Sequence, residues 1–171
     1  MEAFLGGINW SFPTWDMFIY IFFLSSIILY GFILGRDRIL IILFSIYIAL
    51  AVSSNLPYIN DEIAKKFGFG PVFVMKLFVF AAIVAGLYIL FSKIGLLSTF
   101  SETAGVFHVA LFSILHIGLI ISVILSFVPQ EALGLSDFTK NVFVSDIARF
   151  TWILAPLIAM FLVKHEEREE G

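Results

Sequence analysis

The chain has 171 residues, of which 61% are hydrophobic and only 13% charged, with a formal net charge of -3. Soluble domains are about 45 to 50% apolar and about 25% charged, and a small domain leaves too much surface exposed to hide such an excess, so lipid is the solvent that fits. The ten Lys and Arg are scattered and cysteine is absent, which excludes a basic nucleic-acid surface, disulfides, thiolate catalysis and Cys-ligated metal.

Residues 1–15 read as an interfacial lead-in, because Trp10, Phe12 and Trp15 are rings that settle at headgroup level and Pro13 stops an early helix. This stretch has no Lys or Arg and so lacks the basic n-region of a signal peptide; the first apolar run is expected to stay as an anchor. That run, 16–35, and the next, 39–55, each hold about 20 residues, enough at about 1.5 Å per residue to cross the roughly 30 Å hydrocarbon core. Arg36, Asp37 and Arg38 are expected to form a water-exposed turn between them, and the rest of the chain to pack on this pair.

Gly31 and Gly35 have the GxxxG spacing that lets a neighbouring backbone approach, or they simply loosen the helix before the turn. In the second segment Ser45, Ala49 and Ser53 make a small-residue stripe of the kind that marks helix contacts, and Pro57 ends or kinks the helix near Asn55. A short interfacial helix over 61–67 follows, with Asn60 as N-cap and Gly68 as stop.

The third span, 71–92, opens with Pro71 in a favourable first-turn position and carries Ala81, Ala82, Ala85 and Gly86, small residues expected to face other helices. A T-x-x-E capping box at Thr99 and Glu102 introduces the fourth span, 101–128, which has Gly118, Ser122 and Ser126 on one face and ends at Pro129. It is the longest span and is expected to tilt or protrude. After a polar connector comes a fifth apolar segment, 142–163, interrupted by Asp146 and Arg149 and bent by Pro156. From Phe150 to Val163 only Thr151 is polar, so no polar face exists for an interfacial helix and spanning is the expectation. Residues 164–171 read as a solvated acidic tail. The expected fold is all-α, a polytopic transmembrane helical bundle of four to five spans in one domain over 1–171.

Orientation follows from Lys and Arg in the short connections. With the N-terminus outside and the C-terminus inside, Arg36, Arg38, Lys93, Lys164 and Arg168 lie inside, and Lys65, Lys66, Lys140 and Arg149 outside. The first loop decides the direction, since two arginines face a lead-in with none.

Chemistry-bearing residues are few. Lys76 lies one turn into the third span, where it either snorkels to the interface or pairs with Asp61 or Glu62. His108 and His116, about 12 Å apart along one helix and roughly 80° apart around it, cannot share a metal by themselves. His116 is a mid-membrane imidazole, structural or part of a proton relay. Asp146 and Arg149, at i, i+3, are expected to pair on a helical fifth segment. No nucleotide loop or nucleophile motif occurs. The expectation is therefore a non-enzyme without cofactor or metal, whose partners are the lipid bilayer, a second copy or other membrane proteins, and not nucleic acid.

Asp16 leading an apolar helix, then Gly31, Gly35 and Arg38 before a second apolar helix, resembles the opening of the colicin V production protein family, with its G-x-x-x-G-x-x-[RK] at the inner end of the first span. The resemblance covers the first third of the chain; the later order of two spans, Pro129, a Ser-containing connector and a C-terminal helix fits loosely. The family's glycine- and arginine-rich connection before its last clear span is absent here, for SKIGLLSTFSETAG has no Arg, and the fifth apolar segment is additional. The resemblance implies a bacterial inner-membrane protein linked to peptide-toxin production or export and to envelope homeostasis, with no established catalytic activity. Two functions are expected in competition: a scaffold or accessory protein held by small-residue helix faces, and a transporter or channel subunit using Lys76, His116, Asp146 and Arg149 beside Pro57 and Pro156.

Overall fold

The computed structural model describes the backbone of residues 14–33, 35–94 and 106–169, with side chains described over 14–29, 40–94, 110–129 and 131–161. Every regular element among them is helical: α1 (Trp15–Ile33), α2 (Gly35–Ser54), α3 (Asp61–Lys66), α4 (Val72–Ile94), α5 (Val106–Phe127), α6 (Gln130–Leu133), α7 (Asp137–Thr139) continuing into a π-helical turn (Lys140–Val144), and α8 (Asp146–Glu169). The chain divides into two compact units, one of residues 1–35 and 104–171 and the other of residues 36–103.

In the first unit α5 is the central element, packed by α1, the π-turn and α8. Its core joins Ile117, Ile121 and Leu125 of α5 to Phe143 and Val144 of the π-turn and Leu135 of the preceding loop, with Tyr20, Phe23, Ile27 and Trp152 against them. Asp16, Tyr20, Phe23 and Ile27 fall on one side of α1, at helical spacings of three and four. The opposite side, with Phe18, Phe22, Leu24 and Leu29 among the exposed large hydrophobics, is as apolar as the side that packs, and a helix apolar all round is one whose outside meets lipid or protein rather than water.

In the second unit α2 buries Leu40, Ile41, Leu43, Ser45, Ile46 and Ala49. Of the expected stripe, Ser45 and Ala49 are at 0% exposure and Ser53 is half-buried. Asn60 caps α3 as its sequence predicts, accepting from the Ile63 N–H at 2.9 Å. Gly68 and Gly70, at φ 76° and 69°, then turn the chain into α4 in the left-handed region that glycine alone enters freely. α4 buries only Met75 and Phe80; Ala81, Ala82, Ala85 and Gly86 are exposed.

Several expectations are corrected. The first apolar run and the second fall in different compact units: α1 groups with α5 and α8, and α2 belongs to the other unit. Arg36, Asp37 and Arg38 lie in the first turn of α2 rather than in a turn of their own, because neither residue type resists a helix and a carboxylate suits its N-terminal end. The connector after Pro129 contains α6 and α7, and residues 164–169 continue α8. The last segment also carries a bend at Ser145, where Asp137–Val144 and Asp146–Phe161 meet at 42°, and Pro156 lies inside α8. The capping box at Thr99 and Glu102 lies outside the described residues.

Val72–Ile94 and Ala110–Phe127 are each long and apolar enough to cross a membrane, and the bent pair around Ser145 makes a third if it is one span. The apolar stretches Trp15–Leu29 and Leu40–Ser54 are shorter than a span among the described residues, since the side-chain description stops at the charged junction between them.

Candidate functional site

Polar side chains gather where the head of α1 meets the loop before α7. Asp16, in the first turn of α1, is only 2% exposed. Its carboxylate accepts from the Ser136 backbone N–H at 3.2 Å to each oxygen and from the Ser136 hydroxyl at 3.0 Å. Ser136 is also the N-cap of α7, its Oγ accepting from the Thr139 N–H at 3.3 Å. The Ser136 and Thr139 hydroxyls lie 3.2 Å apart, and the Thr139 hydroxyl is 3.1 Å from the Tyr20 hydroxyl.

The proton directions follow from counting. Ser136 has a single hydroxyl proton, and the charged carboxylate is the stronger acceptor for it. The Thr139 proton then points to Ser136 and the Tyr20 proton to Thr139, a chain in which each bond polarises the next toward Asp16. A carboxylate at this place also faces the N-terminal ends of α1 and α7, where the helix dipole favours negative charge. This arrangement fastens two chain segments 120 residues apart.

The second polar feature is the break at Ser145. The π-turn closes with its own i→i+5 bond at Lys140 O, and the bend beyond it leaves the next three carbonyls without helical donors, which side chains supply. Lys140 O accepts from the Ser145 N–H at 2.7 Å and Asn141 O from the Ser145 hydroxyl at 3.2 Å. Val142 O accepts from the Trp152 indole N–H at 2.7 Å, and Phe143 O from the buried Ser122 hydroxyl of α5 at 2.7 Å. The Trp152 ring stacks on Phe143 with centroids 5.7 Å apart and planes 9° apart. Beyond the break Ser145 caps α8, its Oγ accepting from the Ala148 N–H at 3.2 Å.

Of the residues expected to matter, Gly118 and Ser122 of α5 do meet other elements: the Trp152 ring occupies the space beside Gly118, and Ser122 reaches the π-turn. Ser126, third in that stripe, turns back on its own helix to Val123 O at 2.7 Å, as Ser45 does to Ile41 O at 2.8 Å and Ser53 to Leu50 O at 3.2 Å. Ala82 and Gly86 are exposed. Asp146 and Arg149 form the expected i, i+3 pair at 2.6 Å. Lys76 is half-buried and makes no ion pair with Asp61 or Glu62 among the described residues, where the ion pairs are Lys140 with Asp137 and Arg149 with Asp146. His116 is buried at 1% exposure on α5; the side chain of His108 lies outside the described residues, as do the surroundings of Gly31, Gly35, Arg36 and Arg38. Among the described residues no three His, Cys, Asp or Glu gather as a metal site would require.

The sequence marks Asp16 as the head of the first apolar helix and as part of the family resemblance, and it does not single out Ser136, Thr139 or Tyr20. The capping pattern Ser136-Asp137-Phe138-Thr139 was the available signal for a local turn; nothing local could pair it with Asp16. No family model, no curated protein and no solved structure matches this chain.

Proposed function

We propose that the chain is a small integral membrane protein of four to five spans, N-terminus outside and C-terminus inside, that acts as a non-catalytic scaffold or accessory subunit. It associates with a second copy or with other membrane proteins through its small-residue helix faces. The observation that carries this reading is the use of the polar groups at the head of α1 and at the break: Asp16, Ser122 and the carbonyls of residues 140–143 are bound by the chain's own donors, which leaves them holding the fold together. The outward sides of α1 and α4 are apolar, and α4 adds exposed Ala81, Ala82, Ala85 and Gly86, the residue types through which helices approach in lipid. Cross-linking of an A85C variant in liposomes tests the association. A cross-linked product that disappears on A82L/G86L supports it, and none at any protein-to-lipid ratio removes it.

The resemblance in Asp16, Gly31, Gly35 and Arg38 supports assigning that accessory role to peptide-toxin production or export and envelope homeostasis in a bacterial inner membrane. Deleting the gene should then lower the amount of secreted toxin or raise sensitivity to envelope stress.

A transporter or channel subunit is the second reading, favoured by the broken helix at Ser145, since discontinuous helices form many ion and substrate sites. The donors already held by the carbonyls of residues 140–143 weigh against it, because a coordinating break presents its carbonyls to the cargo. Proton and ion flux in liposomes discriminates between the two.

A further inference from the structure

The connector from α2 to α4 ends in a surface that combines positive charge with exposed rings. Lys65 and Lys66, in the last turn of α3, are both exposed, and Tyr58 and Phe67 beside them are 70% and 69% exposed. This surface is held at the mouth of α4. The Phe69 N–H donates to Ala64 O at 2.9 Å, and the Phe69 ring meets Phe78 of α4 with centroids 5.2 Å apart.

Lys76 lies four residues into α4, about 6 Å along its axis, within reach of the same level once its stem extends toward the helix start. The carboxylates of the connector, Asp61 and Glu62, occupy the first turn of α3, where they complement its dipole. Although spaced i, i+4 from Lys65 and Lys66, they form no ion pair with them among the described residues. Three lysines without ion-pair partners among the described residues therefore lie in the connector and the second turn of a helix apolar enough to span a membrane, and the same connector exposes two large rings.

We propose that this surface binds anionic phospholipid headgroups: Lys65, Lys66 and Lys76 take the phosphates, while Tyr58 and Phe67 lie at the boundary with the acyl chains, where amphipathic rings settle. This rests on the membrane reading above, but it adds a lipid class, which that reading leaves open.

The protein contains no cysteine, so a single fluorophore can be attached at Y58C, or at I94C at the far end of α4 where the native side chain is 63% exposed. Each labelled protein is reconstituted with brominated phosphatidylglycerol or brominated phosphatidylcholine, and quenching is compared. At Y58C phosphatidylglycerol should be favoured by about fivefold, the factor that roughly one lysine near a charged surface supplies. K65Q/K66Q/K76Q should abolish that preference and leave quenching at I94C unchanged. Equal quenching by the two lipids at Y58C, or a preference that survives K65Q/K66Q/K76Q, overturns the proposal and leaves the membrane reading in place. Quenching at I94C with none at Y58C keeps the span and removes the headgroup surface; quenching at neither position removes both.

Discussion

The ring of Trp152 sits where a Cβ on Gly118 would have to be, so that a methyl group at position 118 would fall inside the indole. This contact sets α8 against α5, and it depends on both partners: glycine supplies the space, and tryptophan fills it while reaching back to Val142 O.

G118A should therefore destabilise the protein although alanine is the better helix former. Overpacking of this kind costs about 1 to 3 kcal/mol. The measurement is thermal unfolding in detergent, with G86A as comparison, because nothing lies within 4 Å of a Cβ at Gly86. G86A should leave the midpoint unchanged or raise it. A midpoint for G118A equal to that of G86A would show that the indole moves aside freely.

W152F removes the indole N–H and part of the ring's bulk together. The donor to Val142 O is lost, at a cost of about 1 to 3 kcal/mol, and a cavity is left beside Gly118 and Phe143. Amide exchange followed residue by residue should show faster opening over 140–148 than over the middle of α5. A uniform effect across the chain would mean that Trp152 matters only as bulk.

Ser122 and Ser126 separate a tertiary hydroxyl from a local one. S122A leaves Phe143 O unpaired in a buried place, which costs about 1 to 3 kcal/mol. S126A removes a bond to its own helix, and its effect should stay within roughly 0.5 kcal/mol. Equal losses in the two variants would contradict the role given to Ser122.

Asp16 and Ser136 are suited to a double-mutant cycle. Removal of either breaks hydrogen bonds to a charged group, worth about 1.5 to 3 kcal/mol, and D16A/S136A should cost clearly less than the sum of D16A and S136A, since both remove the same contact. Additive losses would mean that the two side chains stabilise the fold independently.

Labelling of introduced cysteines by an impermeant reagent tests the orientation. From outside, A3C, E62C and G134C should react, and D37C, T99C and E169C should not. Reaction of E169C from outside would place residues 142–163 along the surface and reduce the count by one span.

The helical segments were legible because lipid imposes one composition and one length on whatever crosses it. The runs beginning near Asp16, Ile39, Pro71 and Val142 therefore announce α1, α2, α4 and α8 without reference to one another. Local polar geometry was legible too: Asn60 capping α3 and Asp146 meeting Arg149 need only spacing. What escaped was contact at a distance. Ser122 and Ser126 look alike in sequence, yet one bonds a carbonyl 21 residues away and the other a carbonyl three residues back. The break at Ser145 carries no visible signature, whereas the proline at 156 does; at the break the Val142 and Phe143 carbonyls accept from Trp152 and Ser122. Small residues on α4 were expected to be covered because spacing identifies a face that permits close approach, and it says nothing of whether a neighbour occupies it.

The bond between Asp16 and Ser136 joins positions 120 residues apart, and the chain is made from one end. At about 5 to 20 residues per second, α1 leaves the ribosome on the order of 6 to 24 s before Ser136 exists. Throughout that interval the Asp16 carboxylate has neither Ser136 nor the end of α7, and the inward side of α1 has no α5 to cover it. α1 is thus made early and fastened late, and the order of synthesis requires that water at the membrane surface, or another protein, hold its acidic head until the second half of the chain arrives.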